Sequence, residues 1–161
     1  MSTRQIAYVA VLAALYAVLG QVVRFIPNPM VPGAIIALNM VVVVIAGLLL
    51  GPVPGALVGL IGTLVNALSP AGNPFEFAAI IPHGIMGYAA GLARRSPVVL
   101  AALTIIVGHA LNILAFVLAG LLPANQMTAT VFSVGLLVEI VIDVVVISIV
   151  VPLLRPLVRA S

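Results

Sequence analysis

Glu139 and Asp143 stand four residues apart in an otherwise apolar stretch. On a helix that spacing puts both carboxyls on one face, about 6 Å apart along the axis. Two ionised carboxylates so placed repel, so one is protonated, or a cation, a histidine or a donor-rich ligand lies opposite. His109 and Asn112 share a face of the preceding apolar stretch, and His83 follows Pro82 in the one before that. His83, His109 and Glu139 each fall near the middle of their stretch, so their depths agree. Asn39, Asn66, Asn73 and Glu76 complete the polar residues of interest. A polar side chain at lipid depth needs a partner, a cavity or a ligand. The simplest common explanation of the nine is a ligand cavity. Each also has a structural reading: interhelical packing for the asparagines and histidines, and dipole stabilisation at a helix N-terminus for Glu76.

The same residues exclude other chemistry. Two histidines plus carboxylates can bind a transition metal, but no His-x-x-x-His spacing or dedicated ligand run is present, so no metal site is expected. With no cysteine, disulfides and thiol chemistry are absent. No phosphate loop, Ser-His-Asp order, zinc-protease motif or nucleotide fingerprint occurs. The sequence therefore reads as neither an enzyme nor a cofactor or nucleic-acid binder.

The elements that hold these residues follow from composition. Of the 161 residues, 65% are hydrophobic and 6% charged, with a mean hydropathy of +1.43; a soluble domain carries roughly 25% charged residues. A wholly helical chain of this length extends roughly 240 Å, about eight crossings of a hydrocarbon core before loops are allowed for. Runs such as Met40 to Leu50 are apolar on every side, unlike the alternating strands of a membrane barrel. Proline and glycine clusters divide the chain into six apolar segments: about Ile6 to Val23, Ala34 to Leu50, Gly55 to Leu68, Phe75 to Leu92, Val98 to Leu122 and Thr128 to Val151. The expected breaks are Pro27, Pro29 and Pro32; a tight hairpin at Gly51-Pro52-Val53-Pro54-Gly55; Ser69 to Pro74; Arg94 to Pro97; and Pro123 to Gln126. Pro82 should kink the fourth segment. The expectation is one all-α integral membrane domain over residues 1–161, with six transmembrane helices and no room for a separate ATPase.

Orientation follows from the arginines. With six crossings, Arg4, Arg94, Arg95, Arg155 and Arg159 share one side and only Arg24 lies on the other, so both termini are predicted to be cytoplasmic. The first segment then reads as a span rather than a signal peptide. The external loops carry Asn28, Asn73, Glu76, Asn125 and Gln126, and Asn39 and Asn66 lie near that face. No internal repeat supports a transporter of two inverted halves.

Small residues form a second pattern: Ala10 and Ala14 on the first segment, with Ala13 and Ala17 on an adjacent strip, then Gly55, Gly59 and Gly62, then Gly87 and Gly91. Such spacing lets helices approach closely. Arg4-Gln5-Ile6-Ala7-Tyr8-Val9-Ala10-Val11-Leu12-Ala13-Ala14-Leu15-Tyr16, the glycine-punctuated stretch Ala46 to Gly59, and Val151-Pro152-Leu153-Leu154-Arg155 together resemble the substrate-binding S component of an energy-coupling factor (ECF) transporter. The resemblance covers nearly the whole chain. It implies an S-component-like bundle in a prokaryotic plasma membrane that captures a vitamin, vitamin precursor or related micronutrient from outside. It implies as partners a transmembrane coupling subunit, contacted through Ala10 and Ala14, and two ATPases. By position, Glu76, His109, Asn112 and Glu139 match the family's ligand region.

The resemblance leaves the substrate open. Thiamin-type members have Trp-rich pockets, whereas this chain has no Trp; the signatures of biotin-type and nickel- or cobalt-type members are absent too. Arg24 is the one cation on the external half, against the acceptors of Glu76, His83, His109, Glu139 and Asp143. That favours a neutral or cationic ligand rich in donors over a dianion such as folate. Riboflavin-like, pyridoxine-like and thiazole-like molecules all fit. The alternative function is a proton- or cation-coupled carrier or channel that uses Glu139, Asp143 and His109 as a relay; a third is an assembly subunit without ligand.

Overall fold

The computed structural model describes residues 1–26, 36–70 and 72–159, with backbone alone over 126–134 and at 159. The expected turn at Pro27, Pro29 and Pro32, the loop residue Asn28 and the expected start of the second segment at Ala34 lie outside the described residues, as does the Gln126 side chain. Among the described residues seven α-helices follow in order: α1 (Thr3–Val23), α2 (Met40–Leu50), α3 (Pro52–Ala67), α4 (Pro74–Leu92), α5 (Val98–Ala102), α6 (Thr104–Leu118) and α7 (Gln126–Arg159). A 3-10 turn over Ala93–Arg95 follows α4, and no strand occurs among the described residues.

Local chemistry sets the ends. At the start of α1, Ser2 and Gln5 form a reciprocal capping box: the Ser2 hydroxyl accepts from the Gln5 amide at 3.2 Å and Gln5 Oε1 accepts from the Ser2 amide at 3.0 Å. The hairpin between α2 and α3 is tighter than expected, a single residue: Gly51 at φ +106°, with Pro52 already in the first turn of α3. Only glycine enters that φ region freely, and prolines in a helix's first turn give up amides that had no partner there. The second segment becomes helical only at Met40, so Asn39 stands at the helix boundary rather than inside it. The fifth segment is broken at Leu103 into α5 and α6, where the Thr104 hydroxyl donates to the Ala101 carbonyl at 2.8 Å and competes with the backbone ladder. α4 continues through Pro82, and α7 through Pro152 and Pro156.

The outer faces of the bundle are apolar, and polar side chains are buried within its apolar core. Val11, Leu15, Val18 and Val22 on α1, and Val141, Val145, Ile149, Leu153 and Leu157 on α7, are exposed, whereas Asn39, Thr63, Asn66, His83, His109, Asn112, Glu139 and Asp143 are buried. Helices apolar all round belong in a core, and α2 occupies it: every residue from Met40 to Leu50 except Leu49 is buried. Thr3–Val23, Val98–Leu118 and Gly135–Val158 are long and apolar enough to cross a membrane, and α2 and α3 are shorter apolar helices.

The glycines on α3 and α4 serve contact between helices. A Cβ on Gly55 would meet the Gly87 carbonyl and the Gly47 backbone, one on Gly59 the His83 carbonyl, one on Gly87 the Gly55 carbonyl, and one on Gly91 the backbone of Pro52. Backbone thus lies on backbone, which draws His83 of α4 to the side chains of α3 and α1. On α1, Ala13 and Ala17 are buried while Ala10 and Ala14 are exposed.

Candidate functional site

Polar residues meet where α1, α3, α4 and α6 converge. His83 is bonded through both ring nitrogens. Its Nδ1 lies 2.9 Å from the Tyr16 hydroxyl and 2.8 Å from the Thr63 hydroxyl. Asn112 Nδ2 lies 3.0 Å from Nε2, an arrangement that suits an imidazole protonated on Nδ1. Tyr16 also meets the imidazole edge to face, with centroids 5.8 Å apart. Tyr16 and Thr63 were not among the sequence candidates; a hydroxyl at lipid depth is the signal that marks them. This network ties four helices together and leaves His83 no free nitrogen.

A second group spans α1 and α3. Gln21 Nε2 donates to Asn66 Oδ1 at 3.2 Å and to the Ser69 hydroxyl at 2.6 Å, and that hydroxyl donates to the Asn66 carbonyl at 2.6 Å. Gln21 and Ser69 are further residues that the sequence candidates omitted. Asn73 is exposed and caps α4, its Oδ1 accepting from the amides of Phe75 and Glu76 at 2.9 and 3.2 Å. Glu76 lies in that first turn, and its Oε2 is buried without a hydrogen-bond partner among the described residues.

The third group differs in being short of partners. His109 on α6 faces Glu139 and Asp143 on α7, with His109 Nε2 3.6 Å from Asp143 Oδ2. That distance permits an ion pair but is too long for a hydrogen bond. Glu139 Oε1 accepts from the Ala37 amide at 2.8 Å, which joins the segment before α2 to α7. Both Asp143 oxygens, His109 Nε2, and the Oδ1 atoms of Asn112 and Asn39 are buried without a hydrogen bond among the described residues. Asp143 is wholly buried and His109 and Glu139 nearly so.

A buried polar atom left unpaired costs about 1–3 kcal/mol, and a buried charge more. Such a set is therefore suited to a bound group that supplies positive charge or hydrogen-bond donors. One ligand atom from each of His109, Glu139 and Asp143 lies within 4.8 Å of the others, so the three could share a single cation, with a nitrogen and carboxylate donor set apt for a first-row divalent metal. The nine sequence candidates thus divide by geometry. His83 and Asn66 are engaged in packing networks, Asn73 is in a cap, and Glu76, in the first turn of α4, is hydrogen-bonded to Asn66. His109, Glu139 and Asp143 form an acceptor-rich cluster, while Asn112, three residues after His109 on α6, is bonded to His83, and Asn39 stands two residues from the Ala37 amide.

The family model described as "ECF-type riboflavin transporter, S component" matches residues 1–159. UPF0397 proteins of Streptococcus pneumoniae strains CGSP14 and ATCC 700669 are each 37% identical over 92 residues, and that of strain Hungary19A-6 is 36% identical. The aligned region covers 57% of this chain and 48% of each relative, so the chain spans about half the length of the curated relatives it matches. No solved structure matches the chain.

Proposed function

Because the chain belongs to the family of ECF-type riboflavin transporter S components, it is a transporter subunit and not an enzyme, and we propose that it captures a small nutrient from outside the cell. The observation that carries this reading is the buried cluster of His109, Glu139 and Asp143 with its unpaired acceptors. The ligand is a vitamin, vitamin precursor or related micronutrient, neutral or cationic, that presents several donors to these residues and to Asn39 and Asn112. Riboflavin heads the panel, since the matched family is named for it and its hydroxyl-bearing chain supplies donors. Six crossings with both termini cytoplasmic place the cluster at mid-depth in a prokaryotic plasma membrane, with Asn66, Asn73 and Glu76 toward the outside and Arg4, Arg94, Arg95 and Arg155 inside.

Delivery then requires a transmembrane coupling subunit and two ATPases. Ala10 and Ala14 offer a flat, exposed strip of α1 to that subunit, while Ala13 and Ala17 hold the helix in its own bundle. The direct test is a thermal-shift screen of the purified protein against vitamins and their precursors. A ligand at 100 times its dissociation constant adds about 2.7 kcal/mol of apparent stability. One strong hit, weakened by Asp143→Asn, supports the reading; a folded protein that no ligand shifts contradicts it.

The second reading, a proton- or cation-coupled carrier, is favoured by the closeness of His109, Glu139 and Asp143. It requires pH-driven flux in liposomes holding this protein alone. Silent liposomes dismiss it.

A further inference from the structure

Four of the six arginines converge at the end of the bundle opposite Arg24. A cavity of about 880 Å³ there is lined by Arg4, Arg94, Arg95 and Arg155, with Gln5, Tyr8 and the C-terminal turn of α2. The side chains are held in place. Arg4 Nε and Nη2 donate to the Tyr8 hydroxyl at 3.3 and 3.0 Å, Arg155 Nη2 donates to the Arg94 carbonyl at 3.3 Å, and the Arg94 guanidinium lies against Gly51.

Among the described residues no carboxylate neutralises them. The chain has three acids: Glu76 is in the first turn of α4, at the far end from Arg94, and Glu139 and Asp143 face His109 in the bundle interior. The carbonyl ends of α2, α4 and α7 point toward this cavity, each equivalent to about half a negative charge, and the amide ends of α1 and α3 return part of that. More than three positive charges are left in a concavity of a size that holds a ligand of roughly 300–1,000 Å³. An anion is the natural occupant.

The surroundings say which anion. Leu92, two residues before Arg94, and Leu153 and Leu157, on either side of Arg155, are 65%, 67% and 65% exposed. The helices whose ends frame the charged cavity thus carry exposed apolar residues on their outer faces that suit acyl chains, and guanidinium groups bind phosphate oxygens through paired donors. We propose that this cavity binds the phosphate-bearing headgroup of an anionic membrane lipid, whose acyl chains lie along the exposed leucines of α4 and α7. The site is separate from the His109 cluster and does not depend on the nutrient.

The test is native mass spectrometry of the full-length protein released from bilayers of equal phosphatidylglycerol and phosphatidylcholine. Phosphatidylglycerol is expected to be retained preferentially, and the preference to fall about fivefold for each arginine neutralised in Arg94→Gln and Arg155→Gln. Arg94→Lys with Arg155→Lys, which keeps the charge, should hold most of it, and Arg24→Gln at the other end all of it. Equal retention of the two lipids by the wild type overturns the proposal whether or not the glutamine variants fold. So does loss of bound phosphatidylglycerol to excess inorganic phosphate with no lipid preference left, which would mark a site for a soluble anion. A preference equally sensitive to Arg24→Gln would reveal bulk charge attraction and also overturn it.

Discussion

Asp143 carries the strongest tension between stability and use. Its carboxyl is fully buried, and neither oxygen has a hydrogen bond among the described residues. Asp143→Asn keeps the shape, removes the charge and adds a donor that can face His109 or the Asn112 carbonyl oxygen. The ligand-free variant should therefore be more stable by about 1–3 kcal/mol, seen as a higher Tm in detergent, while ligand affinity falls at least about tenfold. A variant less stable than the wild type would mean that the carboxylate is already paired with a protonated His109. His83 should behave in the opposite way. His83→Ala removes bonds to Tyr16, Thr63 and Asn112 together and leaves buried groups unpaired, a loss of about 3 kcal/mol or more on thermal unfolding. The chemistry of both residues was readable from the sequence, because a polar group among apolar ones must be accounted for. The difference between them was not, since the partners that satisfy His83 come from helices 20 to 67 residues away in the chain.

Among the elements, the contact of α3 with α4 and the outer strip of α1 use the same kind of residue for different ends. Where α3 meets α4 the glycines let backbones touch, and a side chain there has no room. Gly59→Val or Gly87→Val should separate the pair and lower stability by about 1–3 kcal/mol or more, with the His83 network loosened in consequence. Small-x-x-x-small spacing marks these positions as contacts but cannot name the partner. On α1 the spacing is doubled, and exposure distinguishes the strips: Ala13 and Ala17 face inward, Ala10 and Ala14 outward. Ala10→Trp with Ala14→Trp should abolish capture by the coupling subunit in a co-purification experiment and leave ligand affinity within about twofold, because no buried group is disturbed. Equal loss of both would place that strip in the protein's own packing.

For the whole molecule, the proposed division of labour gives a test that no single residue supplies. Nutrient binding should be complete in the isolated chain, whereas uptake should appear only when coupling subunits and ATPases are co-expressed. Uptake of equal rate without them would favour the carrier reading. The sequence by itself determined the solvent, the helical class and the polar residues: a chain 65% hydrophobic, with runs such as Met40 to Leu50 apolar on every side, satisfies its backbone in lipid with helices rather than a closed barrel. It also separated Arg24 from the other arginines, because charge placement is a one-dimensional signal. Only the tertiary structure decided the boundaries and the groupings. α2 shortened to a core helix beginning after Asn39, the fifth segment divided at Leu103, and one glycine sufficed for the α2–α3 hairpin. Likewise, it was helix crossing that left His109, Glu139 and Asp143 with unpaired atoms and closed the ring of bonds around His83. Periodicity specifies which face of a helix a residue occupies; which other face it meets, and whether hydrogen bonds are completed there, depends on how closely the small residues let the helices pack.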